Sequence, residues 1–237
     1  MGLRILYDYF CLQEDFQLSY SFEHIQSNSW ENKRWITLGD SITKAGGYQK
    51  NLLETLKFSK IDNKGINGQT MAHQNKNIST WDLGKNIDYK DYDIVTIFIG
   101  TNDFRYHKAL GKMESINSDT FDDKTFIGAY QLLLNKIKLS NPHVKIVLIT
   151  PIQRNKDGFD IHHFNEENNQ LIDYVNAIKK LAHLYSLPVI DLYAESGITS
   201  DNIKFYTKDG LHPNEEGYKI ISEKIQSFLL NYNFLNT

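Results

Sequence analysis

Four short stretches of this sequence hold residue types that acyl transfer uses. They are Gly39-Asp40-Ser41, residues 63–68, Gly100-Thr101-Asn102-Asp103 and Asp209-Gly210-Leu211-His212. Hydrolysis through an acyl intermediate needs a hydroxyl nucleophile, a base for its proton, a group that orients the base, and N–H donors for the oxyanion. Each stretch alone is a weak signal, because Gly, Asp, Asn and Ser are ordinary turn formers. Their meaning depends on whether the fold brings them together.

Ser41, His212 and Asp209 are the candidates for nucleophile, base and orienting carboxylate. Ser41 follows an apolar run and is expected at the start of a helix, where its Oγ is exposed near the positive helix terminus. The neutral imidazole of His212 can take a proton near pH 7. Asp209 lies three residues earlier, and on a turn or a first helical turn this spacing sets a carboxylate beside the ring and fixes its tautomer.

Three N–H donors are candidates for an oxyanion hole: the backbone amides of Ser41 and Gly68 and the side-chain amide of Asn102. Gly68 suits this role because a residue without a Cβ lets the backbone approach a substrate closely.

Short apolar runs rich in β-branched residues predict the strands that position these groups. Four such runs cover residues 34–38, 93–100, 144–150 and 187–193, and a weaker one covers residues 58–66. Runs that are apolar nearly throughout are typical of strands buried on both faces of a parallel sheet.

Amphipathic patterns between these runs predict helices. Apolar residues recur at intervals of three and four over residues 171–185 and 218–228, and residues 123–139 show a similar pattern. Alternating strands and helices predict an α/β fold, a flavodoxin-like three-layer α/β/α sandwich with a five-stranded, mainly parallel sheet. All four stretches then fall at the carboxyl edge of the sheet or just before the last helix, where ligands bind in this architecture.

The first part of the chain does not follow this pattern. Residues 1–32 are rich in aromatic side chains, and we interpret them as an N-terminal arm or the remnant of a preceding module. Residues 33–237 form the predicted main domain.

In their order, the four stretches resemble the conserved blocks of the SGNH hydrolase superfamily, the GDSL-type esterases and lipases. The resemblance covers about residues 33–232. It implies a flavodoxin-like fold, no cofactor, no metal, and a Ser-His-Asp triad of Ser41, His212 and Asp209. It also implies an oxyanion hole formed by Ser41, Gly68 and Asn102. The first block reads Gly-Asp-Ser-Ile-Thr, which resembles the bacterial branch that removes acetyl groups from sugars.

Composition limits the partners. The formal net charge of −3 leaves no basic footprint, so we predict no nucleic-acid partner. No apolar run approaches the length of a membrane span, and Asp8 and Glu14 interrupt the segment where a signal peptide needs apolar residues. We therefore expect a soluble protein, either cytoplasmic or part of a longer exported or virion protein. The sequence does not indicate an oligomeric state.

The predicted substrate is a small-molecule or polysaccharide ester, with short acyl groups on carbohydrate preferred. Asp40, Gln153 and Arg154 are further candidates for substrate binding. A lipase, lysophospholipase or thioesterase for longer acyl chains stays open, as does a non-catalytic carbohydrate-binding module on an esterase fold.

Two other enzyme classes are disfavoured. A two-metal phosphoesterase needs several His and Asp ligands close together, and the adjacent His162 and His163 have no third ligand at a suitable spacing. An α/β-hydrolase is disfavoured because no G-x-S-x-G motif occurs.

Overall fold

The computed structural model describes residues 30–232 and residue 234, and five parallel strands form the central sheet of this part of the chain. The strands lie in the order β2-β1-β3-β4-β5. Their bounds are Arg34–Gly39 (β1), Lys60–Asn63 (β2), Ile94–Phe98 (β3), Lys145–Ile149 (β4) and Val189–Ile190 (β5). The predicted five-stranded α/β sandwich is therefore confirmed, and every pairing between these strands is parallel.

Nine helices of the described residues connect and cover the strands. They are Ser41–Lys44 (α1), Gly47–Thr55 (α2), Thr80–Gly84 (α3), Thr101–Arg105 (α4), Phe126–Ser140 (α5), Leu171–Leu184 (α6), Leu192–Glu195 (α7), Ile203–Tyr206 (α8) and Glu215–Asn231 (α9). The long helices begin at side-chain caps that satisfy otherwise free amide groups. Thr125 accepts from Gly128 N before α5, and Asn214 accepts from Gly217 N before α9.

Two apolar layers enclose the sheet because side chains alternate between its faces. On one face, residues such as Ile36 and Val95 pack against α5 and α6. On the other, residues such as Trp35 and Ile94 pack against α2 and α9. Both faces of β3 are thus buried, which explains why its sequence is apolar except for Thr96, whose hydroxyl accepts from Trp35 Nε1.

The last strand is shorter than its sequence predicts. The apolar run over residues 187–193 favours a full strand, but only Val189 and Ile190 pair with β4. Asp191 ends the pairing because its carboxylate accepts a hydrogen bond from Ala194 N and caps α7. A capping residue inside an apolar run therefore stops the strand.

Residues 1–29 lie outside the described residues, so the prediction for residues 1–32 stays a prediction for nearly all of that segment. Trp30 packs on the main domain: its ring contacts Phe58 and Phe234, and its indole N–H donates to the carbonyl of Leu229. Among the described residues, no helix combines the length and the apolar character needed to cross a bilayer.

Candidate active site

The candidate site lies at the carboxyl edge of the sheet, between β1 and β3. Ser41 begins α1 directly after β1, and Asn102 lies in α4 directly after β3. These two strands are neighbours, and the strand order reverses between them. The diverging connections leave a crevice there, which is the usual ligand-binding position in open α/β sheets.

Ser41, His212 and Asp209 form one continuous chain of contacts. The Oγ of Ser41 lies 2.9 Å from Nε2 of His212, although the two residues are 171 positions apart. On the other side of the ring, Nδ1 of His212 lies 2.8 Å from Oδ2 of Asp209. Because Asp209 accepts a hydrogen bond from Nδ1–H, the neutral ring presents an unprotonated Nε2 to the serine hydroxyl.

The position of Ser41 depends on its neighbour Asp40, which caps α1. The Oδ1 atom of Asp40 accepts from Ile42 N at 2.9 Å, so the helix start is satisfied without the Ser41 side chain. The Ser41 hydroxyl therefore contacts His212 instead of the backbone. Tyr218, in α9, donates to the carbonyl of Ile42 at 2.9 Å and ties this helix to the end of the chain that carries His212.

Hydrogen bonds hold the Asp209 carboxylate in place on both of its oxygens. Oδ1 accepts from the backbone amides of Leu211 and His212, while Oδ2 accepts from the His212 ring and from Nζ of Lys156. Partial burial by itself raises the pKa of Asp209, but the bonds from Lys156 and His212 outweigh it and hold the pKa well below its ordinary value. Asp209 is therefore ionised over the whole neutral range.

The turn that carries Asp209 and His212 requires a glycine at position 210. Gly210 has φ +82°, and a Cβ there would lie 1.9 Å from the carbonyl oxygen of Asn155. This close approach allows Asn155 N to donate to the carbonyl of Gly210 at 2.8 Å. The loop after β4 is thereby fastened to the turn.

The three predicted oxyanion donors border the same cleft as Ser41 and His212, which has a volume of about 490 Å³. Ser41 N–H lies at the first position of α1, where no intrahelical acceptor exists. Gly68 adopts φ +68°, a conformation that favours glycine. Asn102 donates through Nδ2 to the carbonyl of Gln69 at 3.1 Å, which orients its amide and leaves a second N–H.

A buried carboxylate supports the segment that carries Gly68. Asp103 is fully buried, and its two oxygens accept from the backbone amides of Met71 and Ala72 at 2.9–3.0 Å. Burial raises the pKa of Asp103 to about 7, against the opposing effect of these bonds. Asp103 and Asn102 thus anchor the segment after β2 from two adjacent positions of α4.

The walls of the cleft combine polar and apolar groups. Besides the residues already described, they include Ala45, Asn67, Arg105, Tyr106, Lys208, Leu211, Pro213 and Tyr218. Arg105 forms an ion pair with Asp157 at 3.2 Å, and Lys208 is exposed. The cleft has no long apolar wall of the kind that an extended acyl chain requires.

The three further residues predicted to bind substrate do not line this cleft, and their role in binding stays a prediction. Asp40 is buried and caps α1. Arg154 is fully buried; its guanidinium donates to the carbonyl and the hydroxyl of Thr101 and to the carbonyl of Phe159. Gln153 accepts from the backbone amide of Ser200. Their polar groups serve internal contacts, which the sequence pattern alone does not distinguish from ligand contacts.

The pair His162 and His163 does not form a metal site with other side chains. His163 packs against Phe159, with ring centroids 4.5 Å apart, and His162 is exposed. Within residues 30–232, no group of three or more His, Cys, Asp or Glu side chains is placed to hold an ion.

Two residues at the site belong to none of the four sequence motifs and are not predicted by them: Lys156, whose ammonium group contacts Asp209, and Arg105 at the cleft wall. The Asp157-Gly158 pair that follows Lys156 is a turn signal. It indicates a tight turn at this position, but not which distant residue the turn meets.

Comparison with known proteins identifies a family for this chain. Residues 37–220 match the GDSL-like Lipase/Acylhydrolase family. The chain belongs to this family. It is therefore a serine ester hydrolase of the esterase and lipase type, and the predicted superfamily is confirmed.

Three solved structures resemble the chain over most of its length. A protein from Lactobacillus plantarum is 28% identical with a TM-score of 0.75, covering 86% of this chain and 99% of its own. A possible lipase from Chitinophaga pinensis is 26% identical with a TM-score of 0.68, covering 83% and 97%. The acetyl xylan esterase AlAXEase is 28% identical with a TM-score of 0.57, covering 82% and 98%.

Proposed function

We propose that this hydrolase cleaves carboxylic esters through an acyl-enzyme on Ser41, with His212 as the base and Asp209 as its orienting carboxylate. The observation that carries the proposal is the 2.9 Å contact between Ser41 Oγ and His212 Nε2, with Asp209 on the opposite ring nitrogen. This order of contacts is what activation of a serine hydroxyl requires.

In the first half-reaction, Ser41 Oγ attacks the ester carbonyl carbon and its proton passes to Nε2 of His212. The carbonyl oxygen takes up the electron pair and accepts hydrogen bonds from Ser41 N–H, Gly68 N–H and the Asn102 amide. The carbonyl then re-forms, the bond to the alcohol oxygen breaks, and the His212 imidazolium protonates the leaving alcohol. Asp209 stabilises the imidazolium while it exists.

In the second half-reaction, water attacks the acyl-enzyme. His212 takes a proton from the water, the same three N–H groups hold the oxyanion, and the proton then returns to Ser41 Oγ as the acid leaves. Protons balance over the cycle, and each step uses a group that borders the cleft.

We further propose that the acyl group is short and the alcohol is a carbohydrate. The open cleft supports this, because side chains such as Asn67, Arg105 and Lys208 offer hydrogen-bonding groups for sugar hydroxyls. Its aliphatic lining consists of Ala45, Leu211 and Pro213, which is short for an extended acyl chain. Similarity to the acetyl xylan esterase AlAXEase points in the same direction. A polysaccharide such as acetylated xylan is the substrate class to test first.

The test compares hydrolysis of p-nitrophenyl acetate and octanoate esters, followed by release of acetate from acetylated xylan. We expect acetate to be preferred over octanoate and activity to be insensitive to EDTA. Ser41→Ala removes the nucleophile and is expected to abolish turnover. Ser59→Ala is the matched control, since Ser59 is exposed just before β2, at the opposite edge of the sheet.

Different outcomes decide different parts of the proposal. Full activity of Ser41→Ala would remove Ser41 from its role. A preference for octanoate with Ser41 still essential would favour a lipase or thioesterase for longer acyl chains. Binding to xylan without any Ser41-dependent hydrolysis would favour a non-catalytic carbohydrate-binding protein.

A further inference from the structure

Lys156 contacts the proposed catalytic carboxylate without belonging to the triad. Its ammonium group forms an ion pair with Oδ2 of Asp209, the same oxygen that accepts from the ring of His212. The Lys156 side chain is only 21% exposed, and the Asp209 side chain 34%. The pair is therefore better shielded from solvent than an ordinary surface ion pair.

A tight turn fixes the backbone of Lys156. Lys156 and Phe159 exchange two backbone hydrogen bonds, and the residues between them, Asp157 and Gly158, have φ values of +56° and +78°. Two positive φ angles at the central positions are the mark of a type I′ turn, for which Asp-Gly is a favoured pair. Lys156 therefore leaves the turn in a set direction.

Contacts on both sides anchor this turn to the site. The guanidinium of Arg154 donates to Thr101 in α4 and to the carbonyl of Phe159. Asn155 N donates to the carbonyl of Gly210. The segment thus joins the helix that carries Asn102 to the turn that carries His212, and Lys156 is preorganised against Asp209 before any substrate binds.

The ammonium group has an electrostatic effect on His212 through the shared carboxylate. A carboxylate beside an imidazole favours the protonated form of the ring. A cation on the same carboxylate oxygen offsets part of that effect. The other charged groups around Asp209 are the buried Arg154, which acts in the same direction, and the exposed Lys208 beside it in the sequence. Among the lysine and arginine side chains that the structure describes, Lys156 alone forms an ion pair with Asp209.

We propose that Lys156 is a positioning residue that holds Asp209 in its catalytic orientation and, through the carboxylate oxygen that it shares with His212, weakens the attraction of Asp209 for the protonated ring. This inference rests on the proposed function, because it assumes that His212 is the base. It goes beyond the triad by assigning a purpose to the turn after β4. The acidic limb of the pH–rate profile is accordingly expected to depend on the charge at position 156.

The experiment measures kcat/KM against pH for wild type, Lys156→Met and Lys156→Arg, with Lys224→Met as a control that removes an exposed positive charge in α9. For Lys156→Met we expect the acidic limb to move up by about 0.5–1 pH unit, the effect of one unit charge at this range in a partly exposed site. The plateau should change less than about tenfold, because Asp209 keeps three other hydrogen bonds. Lys156→Arg should restore the wild-type limb.

A second readout does not depend on turnover. Titration of the His212 ring nitrogens by NMR, assigned with His212→Gln, should show the same upward move in Lys156→Met and none in Lys224→Met. If Lys156→Met does not fold, Lys156→Gln replaces it as the neutral variant. The inference would be overturned if Lys156→Met left both the acidic limb of kcat/KM and the titration of the His212 ring unchanged. It would also be overturned if the plateau of kcat/KM fell without a shift of the acidic limb. Absence of Ser41-dependent hydrolysis in wild type would instead overturn the proposed function, with the ring titration still deciding the role of Lys156.

Discussion

Two regions of this molecule contain the same four residue types in contact, and only one of them is arranged for catalysis. The first is Ser41, His212, Asp209 and Lys156 at the cleft. The second is Ser79, His73, Asp82 and Lys85 at the start of α3. In both, the histidine Nδ1 lies within 2.7–2.8 Å of a carboxylate oxygen, and a lysine pairs with the same carboxylate.

The difference lies in what the serine hydroxyl contacts. Ser79 is buried, accepts from Asp82 N as the cap of α3, and donates to Oδ2 of the same residue at 2.7 Å. Its hydroxyl is therefore committed to the carboxylate. Ser41 follows a capping aspartate, so its hydroxyl is available to His212 Nε2. The order of contacts, and not the set of residues, separates a serine that caps a helix from one that can be activated.

The largest expected contrast is between the two aspartates. Asp209→Asn should lower kcat by about 10⁴-fold, because an amide can impose the wrong ring tautomer on His212. Asp82→Asn should leave kcat unchanged within experimental error. Steady-state hydrolysis of p-nitrophenyl acetate by both variants checks this, and similar losses in the two would mean that the distinction drawn here is wrong.

A second contrast concerns the proposed oxyanion donors, which border the first region and not the second. Asn102→Ala should lower kcat by about 10²–10³-fold with a smaller change in KM, since the amide donates to charge that develops in the transition state. Asn165→Ala is the matched control, because Asn165 is also buried and donates to a backbone carbonyl, that of Phe104. A fall in kcat of equal size in both variants would indicate lost folding rather than a lost donor, and thermal unfolding of each separates the two causes.

Substitutions in the second region should change the free energy of unfolding rather than the rate of hydrolysis. Burial raises the pKa of Asp82, but hydrogen bonds from Lys85, Ser79 and His73 outweigh this and lower it from 3.8 to about 2. A carboxylate whose pKa is lower in the folded than in the unfolded state stabilises the fold at pH values above its unfolded-state pKa. This stabilisation is lost as the pH falls through the folded-state pKa. Wild type should exceed Asp82→Asn by about 2 kcal/mol of unfolding free energy at pH 6, with the difference shrinking between about pH 4 and pH 2. Urea unfolding of both proteins across this pH range measures the difference in unfolding free energy. A difference that does not change with pH would contradict its assignment to the ionised Asp82 carboxylate.

The smallest expected effect is that of Ser79→Ala. Loss of this cap should lower the unfolding free energy by about 1 kcal/mol. Esterase activity should be retained in full, in contrast to Ser41→Ala. Urea unfolding at neutral pH combined with an activity assay on the same samples tests both parts, and any loss of turnover beyond the unfolded fraction would count against a purely structural Ser79.

Much of the fold could be predicted from the sequence because its signals are local. The β3 segment is apolar at four of its five positions, as is typical of a strand buried on both faces, and its parallel pairing follows from the helices between strands. The meeting of Ser41, Asn102 and His212 could be anticipated for a related reason: segments that follow parallel strands share one edge of the sheet. The sequence pattern does not show the contacts of Arg154, Gln153 and Asp40, whose polar side chains turn inward to partners distant in sequence or cap a helix.

The sequence by itself determined which residues can do chemistry and at which edge of the sheet they emerge, because periodicity and turn composition act over a few neighbouring positions. Only the tertiary structure decided which serine hydroxyl meets an imidazole and which lysine meets the Asp209 carboxylate. Those contacts join residues 171 and 53 positions apart. Such pairings arise when packing of the whole sheet fixes the relative placement of its loops, and no local pattern encodes them.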